Sequence, residues 1–99
     1  MKYTVRFTDE ASNDLERLYL FQLERNIDVA DRALNAIMSA IALLEFTPYS
    51  CRKARGASAF VRELIIPFGA NGYLALFEIE PEHIVTITAV RHQREEDYQ

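Results

Sequence analysis

Positive charge is concentrated in two segments of the chain. Residues 51–62 hold four cations and no acid, although the protein as a whole has a formal charge of -4. The closing run AVRHQREEDYQ, residues 89–99, presents two arginines and a histidine before three acids and a tyrosine. Clustered cations bind phosphates or carboxylates, which predicts a surface that contacts another macromolecule. The candidate target-binding residues are Arg52, Lys53, Arg55, Arg62, Arg91, His92, Arg94 and Tyr98.

The same residues offer little for catalysis. Histidine is the side chain that exchanges protons near neutral pH, but His92 alone is not a catalytic constellation. Its simpler interpretation is a half-buried imidazole at a strand end that makes one hydrogen bond. Cys51 and two distant histidines predict neither a metal site nor a nucleophile. We therefore expect no catalytic residue, no metal and no cofactor, and we interpret the C-terminal run as contact surface.

The composition is that of one small globular domain. Hydrophobic residues make up 49% of the 99 positions and charged residues 26%, which suffices for one modest core over residues 1–99. The net negative charge argues against coating of nucleic acid, and we expect no direct sequence-specific binding to it. One cysteine forms no internal disulfide, and neither a signal peptide nor a membrane span of roughly 20 residues is visible. These features predict a cytoplasmic protein without membrane contact.

The N-terminal part predicts a strand followed by a helix. Residues 3–8 alternate apolar and polar side chains, the period of a half-buried strand. Thr8 followed by two acids is typical of a helix start, because the hydroxyl accepts a backbone amide and carboxylates favour the positive end of the helix dipole. The helix is predicted to run to about Arg25. Its inward stripe is Ala11, Leu15, Leu18, Tyr19 and Gln22.

Three further apolar residues of this helix, Leu20, Phe21 and Leu23, do not all fit that stripe. A helix that is apolar on a second side must bury that side against something. The simplest occupant is the next helix, against which Phe21 and Leu23 would pack. The alternatives are a docking surface for a partner chain and a homodimer formed through the helical hairpin.

A second helix is predicted from Asp28, a candidate N-cap, to about Phe46. Thr47-Pro48 ends it, because proline cannot continue the hydrogen-bond ladder. Residues 49–59 are small, polar and basic and predict a loop. The inward stripe is Ala30, Ala33, Leu34, Ile37, Ala40, Ile41 and Leu44, with alanines where two helices approach closely.

From Phe60 onward the hydrophobic period changes to two. Three strands follow as FVRELII, GYLALFEI and HIVTITAV, joined by a turn at Asn71-Gly72 and another over residues 80–83. The order β-α-α-β-β-β predicts an α+β fold of two layers. In it, a helical hairpin packs on one face of a mainly antiparallel four-stranded sheet, and the other face stays open.

Three pieces of the C-terminal half carry a family resemblance. Arg62-Glu63-Leu64 lies on the second predicted strand, Gly72-Tyr73 opens the third, and Ala89-Val90-Arg91-His92-Gln93-Arg94 leaves the fourth. In this order the chain resembles the RelE/ParE superfamily of toxins from type II toxin-antitoxin modules. The resemblance implies a bacterial cytoplasmic toxin that arrests growth, stabilises plasmids and is neutralised by a ParD-like antitoxin. Leu20, Phe21 and Leu23 become the candidate antitoxin-binding residues.

The superfamily contains two activities, and one position separates them here. RelE-like members cleave mRNA on the ribosome with basic residues after the helices, an arginine after Gly-Tyr, and an arginine and tyrosine near the C-terminus. The matching residues are Arg52, Lys53, Arg55, Arg94 and Tyr98. Leu74 follows Gly72-Tyr73, and leucine can neither hold a phosphate nor move a proton.

This departure favours the ParE-like interpretation, in which the protein binds and poisons DNA gyrase without catalysing a reaction. The alternatives are a RelE-like ribosome-dependent endonuclease and a non-toxic module that binds the antitoxin only. The gyrase interpretation expects the basic loop, Arg62 and the C-terminal arginines to meet near one end of the sheet.

Overall fold

The computed structural model describes residues 2–54 and 60–96, which form a sheet with two long helices on one face. The predicted α+β architecture is confirmed. The elements are β1 (Thr4–Phe7), α1 (Asp9–Leu23), α2 (Ile27–Ala42), two 3-10 turns (Leu43–Glu45 and Pro48–Ser50), β2 (Arg52–Lys53), β3 (Val61–Ile66), β4 (Tyr73–Glu80), β5 (Ile84–His92) and the short α3 (Gln93–Glu96).

The sheet has five strands in the order β1-β5-β4-β3-β2, so the prediction of four strands was one short. All neighbouring pairs are antiparallel except β1 with β5, which is parallel. The additional strand is β2, which lies inside the predicted loop. Its two residues are too few to show a period of two, and it exists because Arg52 and Lys53 pair with Glu63 and Arg62 of β3.

Both long helices begin at side-chain caps. The Thr8 hydroxyl accepts the Ala11 amide at 3.1 Å, as predicted. The N-cap of α2 is Asn26 rather than Asp28, because the Asn26 side-chain oxygen accepts the amides of Asp28 at 2.8 Å and Val29 at 3.2 Å. Asn26 lies two residues earlier and is an equally good capping residue.

The core lies between the helix pair and the inner face of the sheet. Both predicted helical stripes contribute to it, the first through Ala11, Leu15 and Leu18 and the second mainly through Ile37, Ile41 and Leu44. Ala30 and Ala33 of α2 line a small cavity between the two helices. No helix in the described ranges 2–54 and 60–96 has the length and apolar character needed to cross a bilayer. The buried side chains of the core are Ala11, Leu18, Ala33, Ile37, Ile41, Leu44, Ile66, Tyr73, Ala75, Phe77, Val85, Ile87 and Val90.

A β-bulge interrupts the pairing of β4 with β5. Leu76 pairs with Ala89 and Phe77 pairs with Ile87, so Thr88 is an extra residue on β5. Because neighbouring side chains of a strand point to opposite faces, one extra residue reverses which positions of β5 face the helices. Before the bulge the odd-numbered residues face inward, and after it the even-numbered ones do.

Three hydrogen bonds hold the bulge in place. The Thr88 hydroxyl donates to the Leu76 carbonyl at 3.3 Å, and the Thr88 carbonyl accepts the Thr8 hydroxyl at 3.4 Å. On α1, the Asp14 carboxylate accepts the Val90 amide at 3.0 Å. The start of α1 is therefore fixed to the part of β5 at which the strand changes phase.

Gly72 connects the β3–β4 turn to the end of β5. Its φ is +102°, and a Cβ atom there would collide with the Ile66 carbonyl and approach the Phe68 amide at 3.0 Å. Its own carbonyl accepts the Gln93 amide at 3.0 Å. Only glycine fits this backbone conformation in so close a space.

We expect Gly72→Ala to lower the free energy of unfolding by about 3 kcal/mol, because the methyl group adds a steric collision to an unfavourable φ. Gly69→Ala is the matched control. Gly69 has φ +60° and open space around its Cα, so its loss should be about 1 kcal/mol. Urea unfolding measures both, and equal losses would contradict the steric explanation.

A polar cluster joins the two strands at the β1 edge to β4. Arg6 donates to the Glu80 carboxylate at 3.1 Å and to the Thr86 hydroxyl at 2.9 Å, and that hydroxyl donates to Glu80. The hydrogen bond from Thr86, followed by that from Arg6, holds the pKa of Glu80 below its usual value. The folded state therefore favours the ionised carboxylate.

This lowered pKa gives a pH prediction. The stabilisation by ionised Glu80 is complete above the ordinary glutamate pKa and is lost as the pH falls through the lowered folded-state value. Wild type should therefore exceed Glu80→Gln in thermal midpoint at pH 7, and the gap should close on acidification. Glu24→Gln removes an exposed carboxylate as a control. A gap that stays constant down to pH 2.5 would contradict the assignment.

Candidate functional site

The sheet face away from the helices places Leu74 at the position of interest. Leu74 pairs with Ile65 on β3 and with Arg91 on β5, and alternation puts all three side chains on this open face. Leu74 is 5% exposed, whereas Ile65 is 42% exposed. A nearly buried leucine therefore stands beside Arg91, and the exposed Ile65 lies on its other side.

The second region is the corner formed by β2 and β3. Arg52 forms an ion pair with Glu63 on the open face. Arg62 has the opposite orientation: its guanidinium donates to the Cys51 carbonyl and stands 5.2 Å from the ring centroid of Tyr49. Lys53 is exposed. The corner thus has one exposed ammonium group and two arginines that are engaged by the chain itself.

Cys51 is part of this corner as a structural residue. Burial raises the pKa of its thiol, while the hydrogen bond with Ser50 and the nearby Arg62 charge oppose that shift. A thiol with a raised pKa is a poor nucleophile, which agrees with the interpretation of Cys51 as a small apolar side chain. The described residues contain no group of three or more histidine, cysteine or acidic side chains placed to hold a metal ion.

The third region is the end of β5. His92 packs edge-on against Tyr73, with ring centroids 5.4 Å apart, and its Nδ1 accepts the Arg94 amide at 3.1 Å. The predicted half-buried imidazole at a strand end is confirmed. The bulge decides this orientation, since without the extra residue Arg91 would face the helices and His92 the open face.

A cleft of about 540 Å³ lies between the C-terminal half of α1 and the end of β5. We call it the α1–β5 cleft. Its floor is apolar and aromatic, and cationic side chains come to it from both α1 and α3. The lining residues are Arg17, Leu18, Phe21, Gln22, Arg25, Asn71, Tyr73, His92 and Arg94.

The candidate target-binding residues do not meet at one place. Arg62 pairs with Phe77, whereas His92 pairs with Tyr73, four residues away along β4. At about 3.3 Å per residue this separates the two regions by about 13 Å along the strands and by two strand spacings across them. The prediction of convergence at one end of the sheet was wrong. Arg55 and Tyr98 lie outside the described residues.

The three candidate antitoxin-binding residues are exposed. Leu20 is 49%, Phe21 53% and Leu23 36% exposed, so Phe21 and Leu23 are not buried by α2. The α1 residues that face α2 are instead Leu15, Leu18 and Tyr19, which line a small cavity together with residues of α2. Phe21 also lines the α1–β5 cleft, which brings a candidate antitoxin residue next to His92 and Arg94.

The sequence interpretation missed the contribution of α1 to this cleft. Arg17 and Phe21 are spaced i, i+4 and lie on one side of α1, and Arg25 follows in the turn two residues after the helix ends. The guanidinium of Arg25 stands 5.2 Å from the Phe21 ring centroid. This order of cation, aromatic ring and cation was visible in the sequence. The sequence did not show that the three residues face His92 at the end of β5 and Arg94 of α3.

The sequence and the architecture can be compared with those of known proteins. Residues 5–97 match the family model described as the ParE toxin of the type II toxin-antitoxin system parDE. The chain belongs to this ParE toxin family. The match spans β1 to α3 and therefore includes the bulge, Gly72 and all three candidate regions.

The relatives of this ParE-family toxin carry both ParE and RelE names. It is 33% identical to the toxin RelE3 of Caulobacter vibrioides over 93% of this chain and 96% of that protein. A toxin-antitoxin complex RelBE2 from Mycobacterium tuberculosis is 28% identical with a TM-score of 0.67, covering 93% of this chain and 92% of that one. A chromosomal ParDE system from P. aeruginosa has a TM-score of 0.75 at 16% identity, with 92% and 96% coverage, and supports the fold alone.

The β2–β3 corner of this ParE-family toxin provides a test that separates structural from exposed cations. Arg62→Ala should lower the free energy of unfolding by about 1–2 kcal/mol, because it leaves the Cys51 carbonyl without its charged donor. Lys53→Ala is the control and should cost less than about 0.5 kcal/mol, since the Lys53 side chain is exposed. Guanidinium unfolding curves measure both. An equal or larger loss for Lys53→Ala would refute this division.

Proposed function

We propose that this type II toxin arrests growth by binding DNA gyrase and trapping its cleaved DNA, without itself catalysing a reaction. Residues 1–99 act as one cytoplasmic toxin domain, and a ParD-like antitoxin neutralises it, a role that fits plasmid stabilisation. The observation that carries the proposal is Leu74. It stands between Ile65 and Arg91 on the open face, where a RelE-like nuclease would have an arginine.

The charges around Leu74 support the same proposal. A phosphate in an RNA cleavage site needs several cations to stabilise the charge that develops on it. On the open face Glu63 pairs with Arg52, and two strands, β3 and β4, lie between β2 and the Arg91 of β5. Arg52, which is paired with Glu63, and Arg91, which lies across the sheet, are therefore too far apart to stabilise one phosphate together. A protein partner is large enough to contact both arginines.

A RelE-like endonuclease is the second candidate, because a relative with 33% identity is named toxin RelE3. Its site would be Arg52, Lys53, Arg55, Arg94 and Tyr98. A third candidate, a non-toxic module that only binds the antitoxin, would keep the fold and leave growth unharmed on overproduction.

The test adds purified toxin to gyrase and relaxed plasmid. We expect trapped, cleaved plasmid, at least about tenfold less with Arg91→Ala/Arg94→Ala if these arginines contact gyrase, and an unchanged amount with the control Arg32→Ala on α2. Thermal unfolding confirms that each variant folds. If gyrase supercoils the plasmid normally and no cleaved plasmid is trapped at toxin concentrations that stop growth, the gyrase proposal is contradicted.

A second readout identifies the alternative. Induced cells are labelled separately for new DNA and new protein. Early loss of DNA synthesis is the expected result, whereas early loss of translation with cut mRNA, abolished by Arg94→Ala, would assign the toxin to the nucleases. Growth that continues at full rate would favour the non-toxic module.

A further inference from the structure

A second groove lies at the far end of β4 from the α1–β5 cleft. Its volume is about 490 Å³, and we call it the β4 groove. The cleft lies beside Tyr73, which begins β4, whereas the groove lies beside Ile79, near the end of the strand. At about 3.3 Å per residue the two sites are about 20 Å apart along β4, so they are separate surfaces. The lining residues of the groove are Tyr49, Phe60, Glu78, Ile79, Glu80 and Pro81.

Two exposed aromatic rings form part of its wall. Phe60 is 74% and Tyr49 63% exposed. Tyr49 lies in the 3-10 turn Pro48–Ser50, which buries Pro48 and leaves the next ring in water. The ring of Tyr3 continues this surface, with its centroid 6.5 Å from that of Tyr49. Large rings that stand exposed together beside a groove are typical of a surface that another molecule covers.

The charged residues that line the β4 groove are both acids. Glu80 is paired with Arg6 at 3.1 Å, which offsets much of its charge. Glu78 forms no ion pair with any residue in the ranges 2–54 and 60–96. The exposed Glu82 follows in the turn after β4 and adds to the negative potential of this end of the sheet.

Aromatic rings next to a carboxylate bind cations that have an apolar stem. The ring face attracts the positive charge, the carboxylate pairs with it, and the aliphatic part of an arginine or lysine packs on the apolar surface. One such contact already exists within the chain, where the Arg62 guanidinium stands 5.2 Å from the Tyr49 ring centroid. Phe60 and Glu78 offer the same chemistry to a cation from outside.

We propose that a basic segment of gyrase docks in the β4 groove and places an arginine or lysine side chain against Phe60 and Glu78. The inference rests on the proposed function, because gyrase as the partner comes from it. An enzyme that binds DNA presents clustered lysines and arginines to the phosphates, so its surface carries the charge that the groove attracts. The groove thus adds an acidic and aromatic contact to the arginines proposed at the other end of the sheet.

Other occupants fit the β4 groove less well. In a symmetric dimer formed through it, Glu78 of one copy would approach the acids of the other, and like charges repel. The phosphates of a nucleic acid would meet the same repulsion from Glu78 and Glu82. The proposed antitoxin-binding residues of α1 do not line this groove.

The experiment measures the dissociation constant of purified gyrase for wild type and four full-length toxin variants. Glu78→Gln removes the groove charge, and Glu24→Gln removes an exposed carboxylate on another surface, so the two variants have the same net charge. Phe60→Ala removes the aromatic wall, and Phe46→Ala removes a phenylalanine that is 64% exposed and does not line the groove. Thermal midpoints establish that each variant folds.

The dissociation constant should rise at least about fivefold for Glu78→Gln and for Phe60→Ala, and by less than about twofold for the two controls. Added salt should weaken gyrase binding by wild type more than binding by Glu78→Gln, because the variant has one fewer ion pair to screen.

The outcomes separate the groove from the target. Equal affinity of gyrase for all five proteins would overturn the groove proposal and leave gyrase as the target. Wild type that fails to bind gyrase would overturn both. If Glu78→Gln and Phe60→Ala instead weaken antitoxin binding or abolish self-association while gyrase binding is unchanged, the groove belongs to the antitoxin or to a second copy, and the proposal is wrong.

Discussion

The arrangement of the candidate surfaces depends on one extra residue in β5. The bulge at Thr88 reverses the phase of the strand, so that Val90 and His92 face the helices and Arg91 faces the open side. Asp14 and Thr8 of the α1 start bond to the same stretch, which couples helix position to strand phase. A regular strand would exchange the two side chains and leave the α1–β5 cleft without its imidazole.

Much of the fold was predictable because local chemistry and tertiary packing agree. The two long helices and the turns between the last three strands have strong local signals and appear near their predicted places. The helix α2 ends at Ala42 rather than near Phe46, because a 3-10 turn over Leu43–Glu45 continues the chain toward Thr47-Pro48. The exceptions lack such a signal. A two-residue strand has no period of its own, and the choice between Asn26 and Asp28 as a cap depends on how the connection packs.

The candidate site was less predictable than the fold, for a physical reason. The sequence spacing correctly placed His92 at the strand end. It did not predict that the Arg62 guanidinium would donate a hydrogen bond to the Cys51 carbonyl. Nor did it show that Arg17, Phe21 and Arg25 face the end of β5. Those facts follow from contacts between elements far apart in the chain, and a bulge is invisible to a simple alternation rule.

The parallel pairing of β1 with β5 also affects how the protein matures. Thr4 lies beside Ile84, and Arg6 bonds to Thr86, 80 residues later. The first strand of a nascent chain therefore has no partner until nearly the whole protein has left the ribosome. A chain interrupted before β5 lacks both the partner strand of β1 and one wall of the α1–β5 cleft, so it cannot complete the sheet.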